Sequence, residues 1–214
     1  MEKTILDDLA DMQISSIKDF LQILPEKTHG IIISNLNKIN SISKHEDKYN
    51  YYIFTDGSCI KNGKNDARGK FSFAVFDENK ELVTKYSKEG KSNITNQVME
   101  LQAIYYAFKY VLQNIKPEES VCLFSDSDYS LKCITTWYKS WINNGWKTKT
   151  NGDVKHKDII SDIIKTKDKI NDRKIILETC HVNSHTSEPN DKKSFEYFIH
   201  QGNKYADKLA KIEE

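Results

Sequence analysis

The feature that most limits how this chain can fold is the order of its apolar runs after Tyr51, where three short strand-like runs precede any long helix. Tyr51–Thr55 is aromatic and β-branched and ends at Asp56-Gly57-Ser58. Phe71–Phe76 follows across the polar turn Lys61–Lys70, and Glu81–Ser87 makes a third run. Thr95-Asn96 then opens a helix to about Gln113, and Pro117 stops any continuation. Val121–Ser125 reads as a fourth strand ending at Asp126, followed by short helices over 128–143 and a polar loop, Gly145–Asp153. A helix over Lys157–Lys169, a fifth strand over Ile175–Val182 and a closing helix over Asn203–Ile212 complete the pattern. Hairpin-linked strands followed by alternating helices and strands predict an α/β fold, a mixed sheet covered by helices.

Residues 1–48 have a different texture. Leu6, Leu9, Ile17, Phe20, Leu21 and Leu24 make a rough helical stripe opened by acids, and Asn35–Asn50 is polar and loop-like. This stretch is expected to be a small helical N-terminal extension or linker, with the main domain at 49–214. No chemistry is visible in it. Its acidic start lacks the basic and apolar segments of a signal peptide, and no run of about 18 uncharged apolar residues exists. An intracellular protein, cytoplasmic or nuclear and without a membrane partner, is the expectation. Cys59, Cys122, Cys133 and Cys180 show no CxxC spacing and three lie in apolar runs, which predicts buried free thiols.

Net charge is only +1, but the charge is segregated. Residues 1–48 hold six lysines against eight acids, whereas 132–157 hold six lysines against Asp153 alone, a local net of +5. Such a stretch is either a solvated lysine-rich face or the electrostatic footprint of a nucleic-acid binder.

Three acids stand where chemistry is expected. Asp56 and Asp126 each end an apolar strand, and α/β sheets bind ligands at strand ends. Glu100 heads a helical stripe of Ile104, Ala107 and Val111. A carboxylate on that face is costly to bury unless it is paired or binds a cation; otherwise it reaches solvent from the first turn.

Six ordered segments resemble the type 1 ribonuclease H family: TDGS with Asp56, TNQVME with Glu100, SDS with Asp126, WYKSWINNGWKT at 137–148, HVNSHTS at 181–187, and GNKYADKLA with Asp207. The resemblance runs from about Tyr51 to Ile212. It implies a five-stranded mixed sheet with helices on both faces, and hydrolysis of the RNA strand of an RNA–DNA hybrid to leave 5′-phosphate and 3′-hydroxyl ends. By the same resemblance Asp56, Glu100, Asp126 and Asp207 are expected to hold two Mg2+ ions, with Mn2+ as a substitute, and His185 to assist proton transfer or product release. Two divalent ions with carboxylate ligands suit in-line attack of water on a phosphodiester.

The family pattern also places Cys59, Asn62, Asn96 and Gln97 where the RNA 2′-hydroxyl is read, and Asn203 among the substrate contacts. From the residues alone, Asn62 is equally a turn residue and Asn96 a helix cap. Tyr129, Trp137 and Trp141, with Lys147 and Lys149, are expected to carry the DNA strand, and Thr95 a DNA phosphate. Two departures stand out. Asn93 replaces the arginine that related members carry beside that threonine, leaving Lys91 as a point charge without the bidentate fork. Eighteen positions separate His185 from Asn203, a longer connection than usual, so EPNDKKSFEYFIH is expected to reshape the histidine loop. The family's N-terminal hybrid-binding module is not recognisable in 1–48, and a monomer is expected. Another metal nuclease of the same broad architecture, or a catalytically dead hybrid-binding module, remain the competing readings; the complete carboxylate set speaks against the second.

Overall fold

The first strand outruns its apolar stretch. In the computed structural model, β1 spans Tyr51–Ile60 rather than ending at Thr55, because its antiparallel pairing with β2 (Arg68–Asp77) continues from Tyr51↔Asp77 to Ile60↔Arg68. Asp56 therefore lies inside a strand, opposite Ser72. β3 (Leu82–Glu89) adds to β2, and a helix, α1 (Asn96–Asn114), crosses over to β4 (Ser120–Ser125), which runs parallel to β1. A helical run over 128–143 follows: α2 (Asp128–Lys132), a π-helical turn (Cys133–Trp137) and α3 (Tyr138–Asn143). The chain ends with α4 (Lys157–Asp172), β5 (Ile176–His181) parallel to β4, and α5 (Phe195–Ala210). The sheet order is β3-β2-β1-β4-β5, the expected five-stranded mixed sheet.

The structure describes residues 45–46, 48–90, 94–184 and 186–212. Of the expected helical extension over 1–48, residues 1–44 and 47 lie outside the described residues, as do Lys91, Asn93 and His185. Among the described residues, no helix is long and apolar enough to cross a membrane.

Strand alternation sorts the core into two layers. Ile53, Val75 and Leu123 face Leu101, Ile104 and Ala107 of α1 and Ile160 and Ile163 of α4, all fully buried or nearly so. Tyr52, Phe54 and Phe76 turn the other way and meet Phe195 and Phe198 of α5 at ring-centroid distances of 5.5 Å, while Phe124 on the same face stacks on Phe54 at 5.1 Å and Tyr52 at 6.4 Å. Removing one such buried ring costs about 3–5 kcal/mol. Phe54 packs so closely on Gly202 that a Cβ there would overlap its ring. The glycine of GNKYADKLA is thus a packing requirement.

The closing helix differs from expectation. It begins at Phe195 instead of Asn203, because the Ser194 hydroxyl caps it by accepting from the Tyr197 N–H at 3.1 Å, and Phe195 and Ile199 are buried one turn apart. Part of the longer connection is therefore two extra helical turns on the sheet rather than loop alone. Of the thiols, Cys122, Cys133 and Cys180 are buried and Cys59 is half-buried, all free of disulfides.

Candidate active site

The parallel pairing of β1 with β4 stops at Thr55↔Ser125. The next residues on the two strands are Asp56 and Asp126. Beyond this point β1 stays with β2 while β4 turns into α2, so the strands part and open a crevice at their carboxyl ends. Glu100 enters from the first turns of α1. That helix presses on β1 at Gly57, where a Cβ would overlap the backbone at Met99 and Glu100. The glycine of TDGS therefore sets how closely Glu100 approaches Asp56.

One carboxylate oxygen from each of Asp56, Glu100 and Asp126 lies within 4.8 Å of the others. Asp56 is 8% exposed and Glu100 6%. Burial, then the charges of Asp126 and Asp207, push the Asp56 carboxyl up to about 7, against an opposing hydrogen bond from the Gly57 N–H. Glu100 is driven well above the usual range by burial and by Asp56 and Asp126. Burial also raises Asp126, although the Asn203 amide, hydrogen-bonded to it, and nearby His181 favour its charged form. Oε2 of Glu100 is buried without a hydrogen-bond partner. An oxygen-only set of crowded carboxylates with an unsatisfied acceptor fits a hard divalent cation such as Mg2+ or Mn2+ and does not resemble the nitrogen and sulfur sites favoured by zinc.

Asp207 stands apart from the three. It lies on α5 one turn beyond Asn203, about half exposed, with Lys211 3.8 Å away, and its negative charge is felt at Asp56 and Asp126. Asn203 Oδ1 is buried without a partner.

Of the residues expected to read the RNA strand, Asn62, Asn96 and Gln97 lie at the start of α1, while Cys59 lies near the end of β1 opposite Gly69. Thr95, and not Asn96, caps the helix: its hydroxyl accepts from the Val98 N–H at 3.2 Å. The Asn96 N–H instead donates to Asn62 Oδ1 at 3.3 Å, tying the β1–β2 turn to the helix and leaving Asn96 and Gln97 exposed close to Glu100 in sequence. The Cys59 thiol donates to the Ile60 carbonyl, and burial raises its pKa, so it is not a poised nucleophile.

The expected DNA side is an aromatic shelf. Tyr129 and Trp137 meet at 6.0 Å, Trp137 and Trp141 at 5.8 Å, and Trp141 and Trp146 at 6.4 Å. Eight residues along a straight α-helix would put Tyr129 and Trp137 roughly 80° apart; the π turn absorbs one extra residue and realigns them. Trp137 is 37% exposed, while Trp141 and Trp146 are half-buried. His156 adds an edge-on ring 6.5 Å from Tyr129, which its position in sequence did not signal. Lys147 is ion-paired with Asp153 at 2.7 Å, whereas Lys149 is exposed, so the basic stretch is less uniformly available than its composition suggests.

The sequence profile of the RNase H family matches residues 48–213. A ribonuclease H of Schizosaccharomyces pombe is 32% identical over 160 residues, 74% of this chain, and the chain spans about half the length of that relative (51%). A ribonuclease H of Clostridium botulinum is 33% identical over 109 residues, 50% of this chain and 68% of the relative. In fold, the chain is similar to the RNase H domain of prototype foamy virus, with a TM-score of 0.58 at 23% identity over 76% of this chain and 92% of that one. It also resembles part of the foamy viral protease–reverse transcriptase in complex with RNA/DNA hybrid, with a TM-score of 0.60 at 22% identity over 77% of this chain and 20% of that one.

Proposed function

We propose, for a chain that belongs to the RNase H family, that residues 49–214 are an endonuclease cutting the RNA strand of RNA–DNA hybrids and leaving 5′-phosphate and 3′-hydroxyl ends. The observation that carries this reading is the meeting of Asp56, Glu100 and Asp126 where β1 and β4 part. These three, with Asp207, hold two divalent cations, Mg2+ by preference. Bound there, the cations supply Lewis acidity for the scissile phosphate and lower the pKa of water.

The chain's own groups do the rest. The Gly57 N–H and the Asn203 amide orient the Asp56 and Asp126 carboxylates and favour their charged forms. Asn62, Asn96 and Gln97 offer amides to the 2′-hydroxyl, which distinguishes RNA from DNA. The Tyr129–Trp137–Trp141 shelf takes the sugars of the DNA strand, Thr95 and the lysines take its phosphates, and His185 handles the proton. Attack by water needs no covalent intermediate, in keeping with the unactivated Cys59 thiol.

The test is incubation with end-labelled hybrid, duplex RNA, duplex DNA and single-stranded RNA, with and without Mg2+. Metal-dependent cutting confined to the RNA of the hybrid is expected. Equal cutting of duplex DNA, or full activity in EDTA, sinks the proposal.

A further inference from the structure

The three clustered carboxylates are not equally well fixed. Asp56 is held inside β1 by pairing on its β2 side, and Glu100 belongs to a 19-residue helix locked onto Gly57. Asp126 lies one residue beyond the end of β4, before α2 begins, with no ladder of its own. When ionised, three carboxylates within 4.8 Å of one another repel, and the one on the loosest backbone is the one most easily displaced.

What restrains Asp126 comes from two other elements. Asn203 of α5 holds its carboxylate. His181, the last residue of β5, is the direct parallel neighbour of Ser125, and its Nε2 lies 3.2 Å from the Asp126 carbonyl oxygen. A carbonyl only accepts, so Nε2 must carry a proton and donate. The Asp128 N–H donates to the same oxygen at 3.2 Å, and the Val182 N–H continues the ladder to the Ser125 carbonyl at 3.0 Å. The imidazole is thus the one side-chain donor, among the described residues, seen on the Asp126 backbone.

We propose that His181 is a positioning residue, whose Nε2–H pins the Asp126 main chain so that the carboxylate stays in the cation-binding cluster. The proposal rests on the reading of that cluster as a cation site. Groups that orient metal ligands from behind commonly change metal affinity about 10–100-fold when removed. The exposure of His181 sets the expectation at the lower end.

The experiment compares the wild-type chain with His181→Ala and His181→Gln in Mn2+ binding to the nucleic-acid-free protein, followed by calorimetry or Mn2+ electron paramagnetic resonance, and in thermal unfolding in EDTA. Glutamine's Nε2 reaches about as far from Cβ as the histidine Nε2 and keeps the donor; alanine removes it. The expected result is roughly tenfold weaker Mn2+ binding for His181→Ala, binding within about twofold of wild type for His181→Gln, and an unfolding midpoint shared by all three within about 2 °C. In hybrid cleavage, kcat at limiting Mn2+ should fall for alanine with KM unchanged, and should recover at high Mn2+. Wild-type affinity in His181→Ala overturns the proposal, as does a glutamine variant as impaired as alanine, or an alanine variant whose metal loss merely tracks a lowered unfolding midpoint. Wild-type protein that takes up no Mn2+ overturns the cation-site reading itself and the proposal with it.

Discussion

The acidic crevice and the aromatic shelf lie on the same chain but are built on opposite physical terms. In the crevice, carboxylates of one sign crowd together, and the two buried ones sit on elements that cannot easily move: a strand paired on its β2 side and a helix seated on Gly57. On the shelf, half-exposed rings and lysines of the other sign ride on short helices, a π turn and the 144–153 loop. The crevice stores electrostatic repulsion that a bound cation would relieve, so on the proposed reading its rigidity matters to chemistry. The shelf stores little, and its contacts are spread over several groups. Damage to the first should abolish turnover, and damage to the second should loosen grip by small steps.

The largest effect should be on stability without metal. The Asp56 carboxyl lies at about 7 in the folded protein, pushed up by burial and then by neighbouring carboxylates, against 3.8 for the free group. A carboxyl whose folded pKa is raised favours the folded state fully below the unfolded pKa, and that contribution is lost as pH rises through the folded value. In EDTA, wild-type stability should therefore fall relative to Asp56→Asn between about pH 4 and pH 7, by a difference on the order of 4 kcal/mol at most. Urea unfolding at pH 5 and pH 8 measures it. Addition of Mn2+ at pH 8 should close the gap by stabilising wild type and not the variant. A gap independent of pH would mean that the crevice carries no such repulsion.

Asp126→Asn comes next and separates chemistry from grip. The amide keeps the shape and loses the charge, so hybrid cleavage should fall at least about a hundredfold, roughly 2.7 kcal/mol of barrier. Hybrid affinity, which the proposal assigns to the shelf, should stay within a few-fold of wild type or tighten, and KM should not rise. Near-normal turnover in the folded variant would remove Asp126 from the ligand set. The complementary change is Trp137→Ala, with its ring 37% exposed between Tyr129 and Trp141. Loss of one stacking surface should weaken hybrid binding about tenfold, near the low end of stacking contributions, with kcat at saturation little altered. A fall in kcat at constant affinity would break the division of labour.

How much of this was legible in the sequence follows the same division. The succession of strands and helices along the chain, the helix at Asn96 and the buried stripe below Glu100 were readable because each is a local pattern of side-chain periodicity. The full length of β1 was not, since Cys59 and Ile60 are ordered by their partners in β2 and not by their own neighbours. The start of α5 was hidden because Phe195 and Ile199 follow a polar stretch that reads as loop until Tyr52 and Phe54 are placed opposite. Thr95 and Asn96 are both good caps in isolation; in the fold the Thr95 hydroxyl takes the Val98 N–H, and the unpaired first-turn N–H of Asn96 is satisfied by Asn62, 34 residues away. The proximity of His181 to Asp126 depends on the register of two parallel strands, which no single segment encodes. The π turn, likewise, follows from packing the 128–143 run and leaves no signature in its residue types.

The smallest predicted effect sharpens the picture of the shelf. By composition, Lys147 and Lys149 are equivalent members of a basic stretch. In the structure they are not. Lys147 reaches Asp153 at 2.7 Å, and the two residues also form an isolated antiparallel bridge that closes the loop. To contact a phosphate, Lys147 must leave that carboxylate, and the loop loses a tie. Lys149 is exposed within the same loop and pays no such exchange. Each lysine that truly neutralises a phosphate releases a counterion and contributes slightly under one unit to the slope of log affinity against log salt. Lys149→Ala should therefore flatten the slope by roughly one, with hybrid sequence preference unchanged, and Lys147→Ala should flatten it by clearly less. In Asp153→Asn, which frees Lys147 without removing it, affinity at low salt should rise slightly and the slope should steepen. Equal effects for the two lysines would show that the Lys147–Asp153 pair yields to the hybrid at no cost; no effect for either would make this loop a solvated face that the substrate does not touch.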